Sequence, residues 1–308
     1  MSEENNILNT NTKVLAFVIF LNLLIVVLQI IFGIYSHSLA LITDAIHNFQ
    51  DVISLIIALI AAIWMTKKPT EKMTFGFLRS EAMAGFINSG FLVGAIFLIV
   101  ISGVERLINP QEIEGIYVIV MGGIALIING LSAYLLGFHH HHDHHNDHHH
   151  HHEHEDLNIR AAYLHLLSDA GISLGVVIGG LFIYFYHIYW IDPVLSIAFS
   201  LYILKETIPV LKKTSTILME GIPYEINLKE LEEKIKNVPQ VEGLHDVHIW
   251  ALSSKDIYFT GHIVVDKNLT LGEISKIVEK VDEILRKNGI SHITIQPEPK
   301  DFKCENVY

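Results

Sequence analysis

Six apolar runs, each about the length of a membrane-crossing helix, occupy most of the first 210 positions. They fall at roughly 14–35, 39–65, 82–106, 114–137, 159–187 and 190–210. An α-helix needs ~20 such residues to cross the ~30 Å hydrocarbon layer of a bilayer. Lipid offers the backbone no hydrogen-bond partners, so runs of this length are expected to be helical. With 51% of residues apolar and 18% charged, the chain is too apolar for an ordinary soluble protein of 308 residues. The first run is too long for a signal-peptide core and lacks a small-residue cleavage site, so it is expected to be retained.

Two of these runs carry the same intrusion. The second holds His47 and Asp51, and the fifth holds His165 and Asp169. In each, a histidine and a carboxylate stand at i and i+4, on one face of a helix. A buried charge costs ~2.5–3.5 kcal/mol on insertion scales, and a structural strut has cheaper solutions. A single pair could be such a strut; a duplicated one points to an ion site. Two imidazoles and two carboxylates form a four-ligand set suited to tetrahedral Zn²⁺. Asp44, one turn before His47, can act as an interhelical strut or orient that imidazole.

Lys13, Lys67, Lys68, Lys72, Arg79, Arg160, Lys212 and Lys213 all fall on one side of the expected membrane, with little but Arg106 opposite. The positive-inside rule then puts both termini and the 66–80 and 138–158 loops in the cytoplasm of a multi-pass protein of the cell membrane. A net charge of −12 argues against nucleic acid as a partner. Neither a phosphate-cradling glycine loop nor a nucleophile elbow is present. The single cysteine, Cys304, excludes an internal disulfide and any Cys-based zinc finger.

Three regions are expected. Residues 1–12 read as a disordered N-terminus, 13–212 as the six-helix membrane domain and 213–308 as a cytoplasmic domain. The 138–156 loop of the membrane domain contains HHHHDHHNDHHHHHEH, which holds 12 of the 20 histidines and cannot build a core. Its imidazoles suit Zn²⁺, Ni²⁺ or Cu²⁺, so it reads as a metal-collecting or sensing loop, or else as a solvated linker. In the tail, Leu228–Lys236 and Leu271–Lys287 read as helices, the latter closed by Asn288-Gly289. VEGLHDVHIWAL, IYFTGHIVVD and His292–Gln296 read as strands. The order α-β-β-α-β suits a small open sheet with helices on one face.

The HNFQD and HLLSD pairs, the His-rich loop between the fourth and fifth runs, SLALITDAIH, TFGFLRSEAMAGFINS, Asn129, HDVHIW and HITIQPEP together resemble the cation diffusion facilitator family. The likeness covers residues 14–300 and is stronger to its zinc-transporting branch. It implies a homodimeric antiporter in the bilayer that expels Zn²⁺ from the cytoplasm in exchange for H⁺, and a metallochaperone-like tail. It also implies that His47, Asp51, His165 and Asp169 form the transport site. Some relatives carry another site before the third span. Here Thr70, Met73 and Phe77 stand at the positions of its ligands, so that site is expected to be absent. In the tail, His245 and His262 match a regulatory metal site, with Glu298 for an Asp, Gln296 for a His and His248 as a substitute ligand.

Two other classes stay open on residues alone. A membrane metalloenzyme would use the quartet catalytically, although catalytic zinc usually keeps three protein ligands and an open position. A metal sensor or buffer would use the His-rich loop, with the spans as its anchor.

Overall fold

The computed structural model describes residues 23–139 and 153–302. Residues 14–22 of the first expected span, the 1–12 terminus, most of the His-rich loop and Cys304 lie outside the described residues. Six apolar helices come first: α1 (Leu23–Tyr35), α2 (Leu39–Met65), α3 (Ser80–Ile108), α4 (Gly115–His139), α5 (Glu153–Tyr186) and α6 (Ile191–Leu218). Among the described residues, α2 to α6 are long and apolar enough to span a membrane, and α1 is the described part of the first expected span. Then follow α7 (Leu228–Lys236), β1 (Gly243–Ala251), β2 (Ile257–Val265), α8 (Leu271–Lys287) and β3 (His292–Pro299). The expected α-β-β-α-β order of the tail is therefore present.

Two compact units share the chain. The first comprises Met1–Leu55 and Phe91–Thr207, the second Ile56–Gly90 and Ile208–Tyr308. In the first unit, Ala40 and Leu41 of α2 pack with Val118 and Met121 of α4 and with Val176 and Ile183 of α5. Close approach of α4 to α5 requires glycine at two places. A Cβ on Gly115 would lie 2.8 Å from the Tyr184 nitrogen, and one on Gly180 would lie 3.1 Å from the Ile119 nitrogen. Small residues are the usual means of bringing membrane helices together, because lipid supplies no hydrophobic drive between them.

The N-terminal end of α2 is held by a residue of α6. Asp192 is buried and accepts from Ser38 Oγ at 2.5 Å, from Leu39 N at 2.6 Å and from Ala40 N at 3.3 Å. It thus satisfies donors that the first turn of a helix leaves unpaired. One turn further on, Thr43 Oγ1 and Ser196 Oγ lie 2.7 Å apart.

In the second unit α6 continues eight residues beyond the expected end of the sixth span. The lysine pair at 212–213 charges the helix without stopping it, and the Thr214 and Thr216 hydroxyls bond back to Val210 O and Lys212 O. The helix stops where Glu220 turns left-handed (φ 58°) and Gly221 N reaches Thr216 O.

β1 pairs antiparallel with β2, and β2 pairs parallel with β3 through the α8 crossover. Leu231, Ile235, Ile249, Phe259, Ile263, Val281 and Leu285 join both helices to this sheet in one core. The helices are locally specified. Asn227 caps α7, and Thr270 with Glu273 forms a capping box on α8, which ends at Asn288 with Gly289 at φ 85°. β3 runs to Pro299, three residues past the expected end, since a parallel edge position needs no donor from Pro297.

Candidate metal centres

Side chains from two helices converge in the first unit. The i, i+4 spacing puts His47 and Asp51 on one face of α2, and Asp169 projects from α5. One ligand atom from each of these three lies within 4.8 Å of the others. His47 Nε2 is 3.1 Å from Asp169 Oδ1, and both side chains are nearly buried, at 12% and 5% exposure. Bonds of ~2.0–2.2 Å to a central Zn²⁺ need only small side-chain adjustments from such spacings. His165 lies one turn before Asp169 on α5; its side chain lies outside the described residues. Asp44 is fully buried, and its hydrogen bonds run to Gln29 Nε2 at 2.6 Å and Ser173 Oγ at 3.5 Å.

A second group sits on the sheet of the tail. Strand register sets His245 opposite His262, and Glu298 comes from the neighbouring β3. The two oxygens of Glu298 face the two rings, Oε2 at 3.2 Å from His245 Nε2 and Oε1 at 3.0 Å from His262 Nδ1. Glu298 is 3% exposed and His245 26%, so the carboxylate forms the floor and the imidazoles the rim. Gln296 donates to Glu298 Oε1 at 2.8 Å, which orients the carboxylate. His248 is not a member of this group: it is exposed and lies 3.0 Å from Asp246 Oδ1.

Residue reading missed three members of these surroundings. Asp246 adopts a left-handed φ of 51° in an irregularity of β1 between His245 and His248, and its Oδ2 lies 3.5 Å from His262. Asp has a short polar side chain and tolerates that conformation, so the HDVH string was the available signal. Gln29 stands alone among the apolar residues of α1, a signal open to a reader of LLIVVLQIIF. Ser173 follows Asp169 by one turn and carries no sequence signal of its own.

Residues 15–219 match the cation efflux transmembrane domain, and residues 223–300 match the cation efflux protein, cytoplasmic domain. Over 281 residues the chain is 33% identical to the cadmium, cobalt and zinc/H(+)-K(+) antiporter of Bacillus subtilis, covering 91% of this chain and 87% of that protein. It is 34% identical to the metal cation efflux system protein CzcD of Cupriavidus metallidurans, covering 87% and 80%. It is 33% identical to the zinc transporter ZitB of Escherichia coli, covering 88% and 82%.

Proposed function

The chain belongs to the cation efflux family, and from that premise we propose that it exports Zn²⁺ from the cytoplasm in exchange for protons. The family is one of transporters, so the chain is a membrane transporter and not an enzyme. One observation carries the zinc reading: His47 and Asp51 of α2 converge with Asp169 of α5 in a part-buried group able to hold a metal ion. His165, one turn before Asp169, is proposed as the fourth ligand.

The chemistry follows from the ligand types. Zn²⁺ requires neutral imidazole and ionised carboxylate, so loading the site displaces protons and protonation ejects the metal. Two ionised aspartates and two neutral histidines balance the +2 charge of the ion, which limits the cost of holding it in a low-dielectric site. Exchange of metal against protons therefore needs no further cofactor. Access alternates as α2 and α5 shift against the remaining helices. Asp192 grips the N-terminal end of α2, so the larger excursion falls to the opposite end. Both termini and the His-rich loop lie in the cytoplasm in this reading, where the loop captures the ion before export.

The tail acts as a regulatory dimerisation module of a homodimer. His245, His262 and Glu298 supply three ligands, and a tetrahedral ion would take its fourth, at the half-buried rim, from water or a second copy. Zn²⁺ uptake into inside-out vesicles under an imposed pH gradient tests the proposal. Uptake that follows the gradient and collapses with a proton ionophore is expected; uptake indifferent to the gradient refutes proton coupling.

A further inference from the structure

We propose that Gln29 is a positioning residue of the transport site, holding α2 at the rotation that turns His47 toward Asp169. This rests on the site assignment above. Gln29 is fully buried in α1, so its carboxamide must find partners within the protein. It finds two, both on α2. Nε2 donates to Asp44 Oδ2 at 2.6 Å, and Oε1 accepts from Asn48 Nδ2 at 3.4 Å.

Asp44 and Asn48 are one turn apart and bracket His47 in the chain. A grip at two points about 6 Å apart along the axis opposes both rotation and sliding of α2. Successive residues are rotated by about 100°, so fixing the 44/48 face toward α1 aims the adjoining 47/51 face. Ser173, one turn after Asp169 on α5, donates to the same Asp44 oxygen at 3.5 Å. Asn129 of α4 donates to Ser173 at 3.4 Å. In this conformation the two ligand-bearing helices are thus tied to each other and to their neighbours immediately beside the site, contacts that must break or slide when access changes.

An apolar side chain at position 29 would pack against α2 without selecting its rotation. A buried amide selects it, as single buried polar residues do in setting helix register. Correct aim matters because Zn²⁺ tolerates ligand distances within only about 0.2 Å of ideal.

The test uses full-length protein in proteoliposomes, comparing wild type, Asp169→Ala and Gln29→Leu. Losing a direct hydrogen-bond partner of a metal ligand costs about 10–100-fold. Gln29 acts one step further out, through Asp44 and Asn48. Gln29→Leu should therefore raise the half-saturation for Zn²⁺ by about tenfold, the low end of that range, and leave the maximal rate within about threefold. The four-coordinate visible absorption of bound Co²⁺, taken as a difference against Asp169→Ala, should weaken; that subtraction cancels Co²⁺ held by other histidines. A purely structural role would lower the yield of folded protein and leave half-saturation and spectrum unchanged. Should Gln29→Leu not fold, Gln29→Leu/Asp44→Leu removes both members of the 2.6 Å buried pair, leaves unmatched only the longer contacts of Asn48 and Ser173, and carries the same measurement against Asp44→Leu alone. Wild-type half-saturation and spectrum in the folded variant, with Asp169→Ala inactive, overturn the role of Gln29 alone. Wild-type flux in Asp169→Ala overturns the site assignment and this proposal with it.

Discussion

His47 Nε2 and Asp169 Oδ1 stand 3.1 Å apart across the contact between α2 and α5, although 122 positions separate them in the chain. In the proposed site, ligands from two helices give the cation its hold on both, so losing either side chain should break transport. His47→Ala and Asp169→Ala are expected to lower Zn²⁺ flux by about 100-fold or more, since three ligands neither hold the ion tightly nor couple it to protons. Both variants should remain folded and dimeric by size-exclusion chromatography. Wild-type flux in either would remove these residues from the site.

His47→Asp trades imidazole for carboxylate and hardens the ligand set. Competition assays should show transport widened toward Mn²⁺, Fe²⁺ or Cd²⁺ relative to Zn²⁺. An unchanged metal profile would argue that His47 does not touch the ion.

Deleting residues 139–154 removes 12 imidazoles and none of the proposed transport ligands. The apparent half-saturation for Zn²⁺ should rise while the maximal rate stays within a few-fold, because in the proposed reading the loop supplies metal to the site without forming it. Complete loss of flux would make the tract part of the transport machinery.

In the tail, one buried carboxylate faces two histidines, so His245→Ala and His262→Ala should each abolish tight Zn²⁺ binding by residues 213–308 in calorimetry. Zn²⁺ should also tighten dimerisation of the wild-type tail, by linkage. Undetectable binding to the wild-type tail would leave it a passive dimerisation module, with Gln296 in place of a histidine the ready reason.

Asp192 accepts from Ser38, Leu39 and Ala40 at the start of α2, and truncating it leaves these donors buried without an acceptor. Asp192→Ala should destabilise the folded protein by about 2–4 kcal/mol, and Asp192→Asn, which keeps one acceptor oxygen, by less. Thermal unfolding in detergent should rank them in that order. Equal melting temperatures for Asp192→Ala and wild type would show that the cap contributes nothing.

Much of this protein was legible in local pattern. Run length set the spanning helices, and the i, i+4 spacing of His47 with Asp51 set a shared face whatever that face meets. The Thr270–Glu273 box and the Asn288-Gly289 stop bounded α8 within its own residues. These are short-range effects, determined by backbone geometry within a turn or two. Lys212 and Lys213 end the apolar run but not the helix, since nothing in those residues breaks the i→i−4 ladder.

The rest was decided by tertiary structure. No local preference tells Gln29 that Asp44 and Asn48 will face it, or Asp192 that the N-terminal turn of α2 will need a cap. Glu298 becomes the floor beneath His245 and His262 only once β3 pairs in parallel register beside β2. Those partners are chosen when whole faces are buried together and each buried polar group must be satisfied by whatever packing brings near it.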